Sequence, residues 1–270
     1  MEQITPDTVD PLDDFEKRAI TLQGKTKNVY VAGTGPAVIV MSEMPGISPY
    51  VARFARWVRD AGLTVYMPSL FGKDGVLPGN LGTMKTLAKA CISREFRMFA
   101  ANSSSPVTQW LRALAAQAHK ECGGKGVGSI GMCFTGNFGL SMMLEKSMIA
   151  PVLSQPSLPM NNASALHIAP DELAAVKQRL EDEDLTVRAY RFEGDSFCKA
   201  ERFAAYQDAL GDRFIGTVLP DSAANPDSPL KTPHSVVTLH LIDEEGQPTV
   251  QARDEIIEFF RTSLIEDNAA

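Results

Sequence analysis

The chain has 270 residues and a formal net charge of −7, and this length is sufficient to bury one sizeable hydrophobic core. An acidic balance without clustered Lys and Arg argues against a nucleic-acid-binding protein. The sequence has neither an apolar run of about 18 residues, which a membrane span would need, nor a secretory signal pattern, so we expect a cytoplasmic protein that does not bind membranes.

The first predicted element is an acidic N-terminal arm. Residues 1–16 contain two prolines and few apolar side chains, so we expect a flexible segment that is loosely attached. Residues 17–265 are expected to form one domain, and residues 266–270 a C-terminal tail.

Strand and helix patterns then alternate along the chain. Such alternation predicts an α/β fold with a doubly wound, mainly parallel sheet and helices on both faces. The predicted strands are 17–22, 26–31, 37–42, 64–67, 126–130, 149–153, 186–192 and 213–219. The predicted helices are 49–61, a helical region that runs to residue 121 after a long loop ending near 83, 137–146, 170–182, 199–210 and 248–264.

Cys133 lies in a pattern typical of a nucleophile elbow. The short apolar strand 127–130 runs into Gly131, and a helix-like stretch follows the cysteine. In such an elbow the nucleophile stands on a sharp strand-to-helix turn with its side chain exposed at the carboxyl edge of the sheet. Small residues are needed around the turn because bulky ones would collide with it. The alternative is a small core residue, which is the more frequent role of a lone cysteine.

Asp195 and His234 each follow a late predicted strand. Open α/β sheets assemble their sites at these carboxyl ends. The order along the chain, Cys133 and then Asp195 and then His234, is the order of nucleophile, acid and histidine in the elbow architecture. This combination is far less expected by chance than the elbow alone.

His240 is the alternative to His234. It lies within residues 236–242, where period-2 alternation predicts a strand or an extended segment. His234 instead lies in a polar loop, so we favour it as the catalytic base. The other histidines, His119 and His167, do not follow a late strand.

Several stretches of the chain together match one enzyme family. They are Val38–Gly46, the Cys133 elbow, Glu193–Asp195, His234–Ser235 and a C-terminal helix ending in Glu258–Phe260. With them, the chain from about Val38 to Leu264 resembles the dienelactone hydrolase family of α/β-hydrolases. The resemblance implies an α/β-hydrolase fold and a triad of Cys133, Asp195 and His234. It also implies a small-molecule ester or lactone as substrate and no cofactor.

The resemblance further implies a role for Glu43, because the family has a glutamate just after an early strand. There it accepts the thiol proton, directly or as part of a switch that forms the thiolate when substrate arrives. The thiolate is the reactive form, whereas a neutral thiol with an ordinary pKa reacts poorly at neutral pH. Without the resemblance, Glu43 would be interpreted as a solvated loop residue or a helix cap.

Two positions depart from the family pattern. Thr135 stands where the usual elbow has a glycine two residues after the nucleophile, so we expect a slightly opened elbow or a close helix approach at Gly139 instead. Thr238 stands four residues after His234, where the founding enzymes carry an arginine for a substrate carboxylate. The dienelactone substrate itself is therefore not predicted.

Arg94 lies near the position of the family's other carboxylate-binding arginine, so it is a candidate substrate-binding residue. A structural ion pair with Glu95 is the alternative.

The loops 68–82 and 155–162 follow strands, and we expect them to line the site. The four cysteines, at positions 91, 122, 133 and 198, lack zinc-type spacing, so we expect no metal.

The predicted reaction is acyl transfer to water. A thiolate at Cys133 attacks the carbonyl carbon, and the backbone N–H groups of Phe134 and Met44 hold the oxyanion. His234 protonates the leaving alkoxide and activates water, while Asp195 orients the imidazole. A thioesterase or a general carboxylesterase would use the same triad, and a non-catalytic redox-sensing or binding protein would keep the elbow without a histidine in reach. We expect a monomer or a small homo-oligomer.

Overall fold

A computed structural model of the chain describes residues 4–79, 82–83, 96, 102 and 104–266. The strands are β1 (Glu16–Leu22), β2 (Lys25–Gly33), β3 (Ala37–Met41), β4 (Thr64–Pro68), β5 (Val127–Met132), β6 (Met148–Ser154), β7 (Val187–Phe192) and β8 (Phe214–Leu219). The helices are α1 (Pro49–Asp60), α2 (Val107–Cys122), α3 (Phe138–Met142), α4 (Pro170–Asp182), α5 (Ala200–Leu210) and α6 (Pro248–Leu264).

All of these strands join one eight-stranded sheet in the order β1-β2-β4-β3-β5-β6-β7-β8. The pairs β1·β2 and β2·β4 are antiparallel, and every other neighbouring pair is parallel. The prediction of a mainly parallel sheet is confirmed. In the β3·β5 ladder Met41 lies opposite Gly131, so the residues that follow these two strands emerge side by side at one edge of the sheet.

Helices cover both faces of the sheet, and the alternation of side chains along β3 shows how. Ile39 and Met41 join a core formed with α2, α3, α4 and α5, whereas Val38 and Val40 join a core formed with α1 and α6. Strand β3 is buried along its whole length, as expected for a central parallel strand covered on both sides.

The N-terminal segment is more firmly attached than the sequence predicts. Leu12 and Phe15 are only 3% and 5% exposed and pack in the core on the α1 side. Arg56 of α1 bonds Asp10 at 2.6 Å and Asp14 at 2.7 Å. The expectation of an arm with little to bury is therefore wrong for the part of this segment that the structure describes.

Two local predictions differ from the structure. The helix predicted over 137–146 is shorter in the structure, where α3 ends at Met142. A turn follows, in which Met143 N donates a hydrogen bond to Leu140 O. Residues 236–242 form turns and irregular structure instead of a strand, and Val236 and Val237 are buried there in the core on the α6 side. Their alternation therefore reflects burial within turns. In the described part of the chain, no helix combines the length and the apolar character needed to cross a membrane.

Candidate active site

The elbow at Cys133 is a strained turn. Cys133 directly follows β5 and has φ 53°, a left-handed conformation that costs energy for any residue with a Cβ. A short 3₁₀ turn over Cys133–Thr135 follows. Two hydrogen bonds hold the turn, because the carbonyl oxygen of Cys133 accepts from Gly136 N at 3.0 Å and from Ser157 N at 2.9 Å. The thiol stands on a backbone whose conformation is fixed from both sides.

Two glycines make this turn sterically possible. A Cβ on Gly131 would lie 2.1 Å from the carbonyl oxygen of Thr135, and a Cβ on Gly136 would lie 2.6 Å from the Cα of Pro156. At Gly139 the nearest contact would be a milder 3.1 Å. Gly136, one position later than in the usual pattern, therefore supplies the closest approach after the nucleophile.

Thr135 fits the elbow because its hydroxyl contacts backbone groups of both the elbow and the end of β3. The side chain is fully buried and its Oγ1 accepts from Met132 N at 3.0 Å. The same hydroxyl lies 3.0 Å from the carbonyl oxygen of Met41 and 3.2 Å from that of Ser42. The side chain of this β-branched residue thus links the elbow to the end of β3 through hydrogen bonds.

Asp195 and His234 meet at the same edge of the sheet. Nδ1 of His234 lies 2.7 Å from Oδ2 of Asp195, and both side chains are buried. The other carboxylate oxygen of Asp195 accepts from Phe197 N at 2.8 Å and from Cys198 N at 2.9 Å. The acid is therefore fixed by its own loop, and it fixes the orientation of the imidazole.

The second ring nitrogen of His234 is not used by Asp195, and Cys133 is close enough to His234 to act on the charge of its ring. Nε2 is buried and has no partner with hydrogen-bond geometry in the described part of the chain. Burial lowers the pKa of His234, but the charge of a Cys133 thiolate and the hydrogen bond to Asp195 outweigh it and raise this pKa well above its ordinary value. The environment therefore favours the protonated form of the His234 imidazole.

His240 is engaged within the His234 loop. Its Nδ1 accepts from the backbone N–H groups of His234 at 3.3 Å and Ser235 at 3.1 Å, and its Nε2 donates to the carbonyl oxygen of Leu230 at 2.8 Å. Burial lowers the pKa of His240 to about 4, and the charge of His234 acts in the same direction. Both ring nitrogens are used to hold the loop.

Glu43 lies buried in a set of hydroxyl and amide donors. Its Oε2 accepts from Ser235 Oγ at 2.6 Å and from Gln155 Nε2 at 3.4 Å, and its Oε1 accepts from Thr238 Oγ1. Cys133 is not a hydrogen-bond partner of this carboxylate in the described structure. Burial raises the pKa of Glu43, although the hydrogen bonds from Ser235 and Thr238 oppose the shift. The hydroxyl of Thr238 is therefore engaged by the glutamate and is not free to bind a substrate.

Gln155 is a site residue that the sequence analysis placed only in a wall of the pocket. It directly follows β6, is completely buried and has φ 36°. Its backbone N donates to Tyr190 O at 2.7 Å, while its side chain reaches Glu43. The signal that could have identified it is a polar residue immediately after a buried central strand at the edge where the other site residues emerge.

The two predicted oxyanion donors have free N–H groups. Phe134 follows Cys133 and Met44 lies three residues after β3, and neither backbone N–H donates to another residue in the described ranges. Beside them the ring of Phe71 packs edge-on against that of Phe134 at 5.6 Å. Arg94, the predicted carboxylate-binding residue, lies outside the described residues.

A comparison with protein-family models matches residues 22–187 to the dienelactone hydrolase family. Solved structures give the same fold. One is a dienelactone hydrolase-like promiscuous phosphotriesterase from metagenomic libraries, with TM-score 0.64 and 17% identity over 93% of this chain and 98% of that one. Another is Est1E from Butyrivibrio proteoclasticus, with TM-score 0.57 and 12% identity over 92% and 98%. A cold-adapted esterase from an Arctic intertidal metagenomic library has TM-score 0.53 and 13% identity over 92% of each chain. A search of curated proteins found no match.

Proposed function

Since the chain belongs to the dienelactone hydrolase family, we propose that it hydrolyses a carboxylic ester or lactone through a thioester on Cys133. The observation that carries the proposal is the 2.7 Å hydrogen bond between Asp195 and His234, which leaves Nε2 of His234 unpartnered on the side of the strained Cys133 elbow. A nucleophile, a base and a group that orients the base are thus present in the roles that covalent catalysis requires.

In the first half of the reaction the Cys133 thiolate attacks the carbonyl carbon of the substrate. Negative charge then develops on the carbonyl oxygen, where the free N–H groups of Phe134 and Met44 are the proposed donors. Removal of one such donor typically costs about 3 kcal/mol in the activation barrier. As the tetrahedral intermediate collapses, the C–O bond breaks and His234 gives its proton to the leaving oxygen.

In the second half, neutral His234 takes a proton from water, and the hydroxide that forms attacks the thioester carbonyl. The carboxylic acid leaves and the Cys133 sulfur departs as thiolate beside the renewed imidazolium. Asp195 stabilises that imidazolium and keeps its ring orientation. The raised pKa of His234 supports its role as the proton donor to the leaving oxygen, because it favours the charged ring.

We further propose that Glu43 accepts the thiol proton when the thiolate first forms on arrival of substrate, and that later turnovers begin from the thiolate that the second half of the reaction restores. Its carboxyl pKa is raised mainly by burial, which makes it a better proton acceptor than an ordinary carboxylate. Ser235 and Thr238 donate hydrogen bonds to the ionised carboxylate, so they hold it ready in the pocket. Because Thr238 is engaged there, a substrate carboxylate would not be recognised at this position.

The test is a hydrolysis screen of lactones, p-nitrophenyl esters and thioesters with the wild-type protein and the Cys133→Ala variant. We expect turnover by the wild type, none by the variant, and an acyl adduct on Cys133 in mass spectra of rapidly quenched samples. Iodoacetamide should label Cys133 faster than the other three cysteines at pH 7. Cys122→Ala is the matched control and should keep its activity. Full activity of Cys133→Ala would refute the proposal.

A further inference from the structure

Phe197 is a large apolar side chain in an unusual position. Its ring stands over the imidazole of His234, with centroids 5.0 Å apart and an angle of 58° between the ring planes. Despite this contact, Phe197 is 46% exposed to solvent. Burial of a phenyl ring is favourable, so an exposed one beside a catalytic histidine points to a ligand that covers it.

The position of Phe197 is coupled to the triad. Its backbone N–H donates to Oδ1 of Asp195 at 2.8 Å, while Oδ2 of the same carboxylate bonds His234. The neighbouring Cys198 N also donates to Oδ1. One carboxylate thus holds both the imidazole and the chain segment that carries the phenyl ring, and a substrate that reaches His234 also meets Phe197.

The direction of proton transfer decides which part of a substrate lies there. In the proposed mechanism Nε2 of His234 gives its proton to the leaving oxygen, so that oxygen must come within hydrogen-bond distance of the imidazole. The group attached to this oxygen then passes the imidazole ring. The acyl portion instead remains on the Cys133 sulfur, next to the oxyanion donors and the ring of Phe71.

The geometry points to Phe197 as the specificity residue for the alcohol portion of the substrate, which we infer to be uncharged and apolar. This inference rests on the proposed ester hydrolysis at Cys133. A flat phenyl face offers dispersion and hydrophobic contact and no hydrogen bond. Alkyl or aryl alcohol groups would cover it, whereas a carboxylate would lose hydration against the ring and an ammonium group would be repelled by the protonated imidazole of His234.

The experiment uses two matched ester series. The alcohol series keeps the acetyl group and extends the alcohol from methyl to hexyl, and the acyl series keeps methanol and extends the acid from acetyl to hexanoyl. We expect Phe197→Ala to lower kcat/KM for hexyl acetate about tenfold more than for methyl acetate. The acyl-series ratios should match those of the wild type. Phe197→Leu should restore most of the alcohol discrimination.

Phe259→Ala is the control for removal of an aromatic ring, because Phe259 stacks on Arg188 at the opposite end of β7 from Asp195. It should leave both series unaltered. A uniform loss across the alcohol series in Phe197→Ala would show that the ring only positions His234. A loss of kcat/KM that grows with the length of the acyl chain would show that Phe197 contacts the acyl portion of the substrate. Either outcome overturns the inference.

A second readout needs no turnover, so it separates this inference from failure of the proposed reaction. Alkylation of Cys133 by iodoacetamide is followed by mass spectrometry with and without 1-hexanol. Bound hexanol should slow alkylation in the wild type and have much less effect in Phe197→Ala. Equal protection in the two proteins would overturn the alcohol subsite, whether or not esters are cleaved.

Discussion

The hydrogen bonds of His240 predict that its removal loosens the loop that carries His234 without removing a proposed catalytic group. In His240→Ala, the backbone N–H groups of His234 and Ser235 lose their acceptor, and the carbonyl oxygen of Leu230 loses its donor. Each unsatisfied buried group costs about 1–3 kcal/mol. A cavity of about 280 Å³ adjoins His240, Leu230 and Pro233, and water that enters it would offset part of this cost.

The net destabilisation of His240→Ala is therefore about 3 kcal/mol. Displacement of the His234 ring by about 1 Å should lower kcat by about 100-fold. His240→Asn keeps an acceptor near the place of Nδ1 and loses only the bond to Leu230, so it should recover part of both losses. Urea unfolding and kcat on a p-nitrophenyl ester measure the two effects, and His234→Ala provides the limit for complete loss of the base.

The pH dependence of stability gives an independent check on His240. Its folded pKa of about 4 lies below the ordinary 6.5, so the unfolded chain takes up the proton first as the pH falls. The free energy of unfolding should therefore decrease between pH 6.5 and 4, by roughly 3 kcal/mol from this group. His240→Asn should reduce that slope. Equal activity of His240→Ala and His240→Asn, or a loss of kcat in His240→Ala as large as in His234→Ala without destabilisation, would refute the positioning role.

Two further substitutions test the buried glutamate and the N-terminal segment. Glu43→Gln should slow the burst of acylation in pre-steady-state assays. The free energy of unfolding at pH 7 should stay equal or rise, because burial disfavours the ionised carboxylate. An unaltered burst would exclude proton acceptance by Glu43. Leu12→Ala should lower the free energy of unfolding by about 2–3 kcal/mol, since Leu12 is buried, whereas Val9→Ala, at a side chain that is 69% exposed, should have little effect in the same urea titration.

Much of the fold follows from local pattern. Apolar runs such as β3 and β5 are buried on both faces, and burial of that kind leaves a direct trace in the sequence. The N-terminal segment left a weaker trace in the sequence. Within its described part, residues 4–16, only Leu12 and Phe15 are buried, and the nearby charges of Asp10 and Asp14 are paired with Arg56. Pairing with a residue more than 40 positions away has no local signature.

In the site, too, some residues could be predicted from local sequence pattern and others could not. Cys133, Asp195 and His234 could be selected because each follows a strand, and parallel strands deliver their carboxyl ends to one edge. The donors to Glu43 could not be selected in this way. Gln155 reaches it through a left-handed backbone conformation at residue 155, and Thr238 reaches it through turns that look like an extended segment in the sequence. Such contacts depend on tertiary geometry and not on periodicity.

The hydroxyl of Thr135 has a consequence for how this enzyme can change during evolution. It fastens the nucleophile turn to the end of the strand that leads to Met44, so the spacing of the two proposed oxyanion donors is set by the scaffold. Side chains such as Phe197 take no part in these hydrogen bonds of Thr135. Substrate preference can therefore drift by exchange of surface-facing residues while the power to stabilise the transition state is inherited intact.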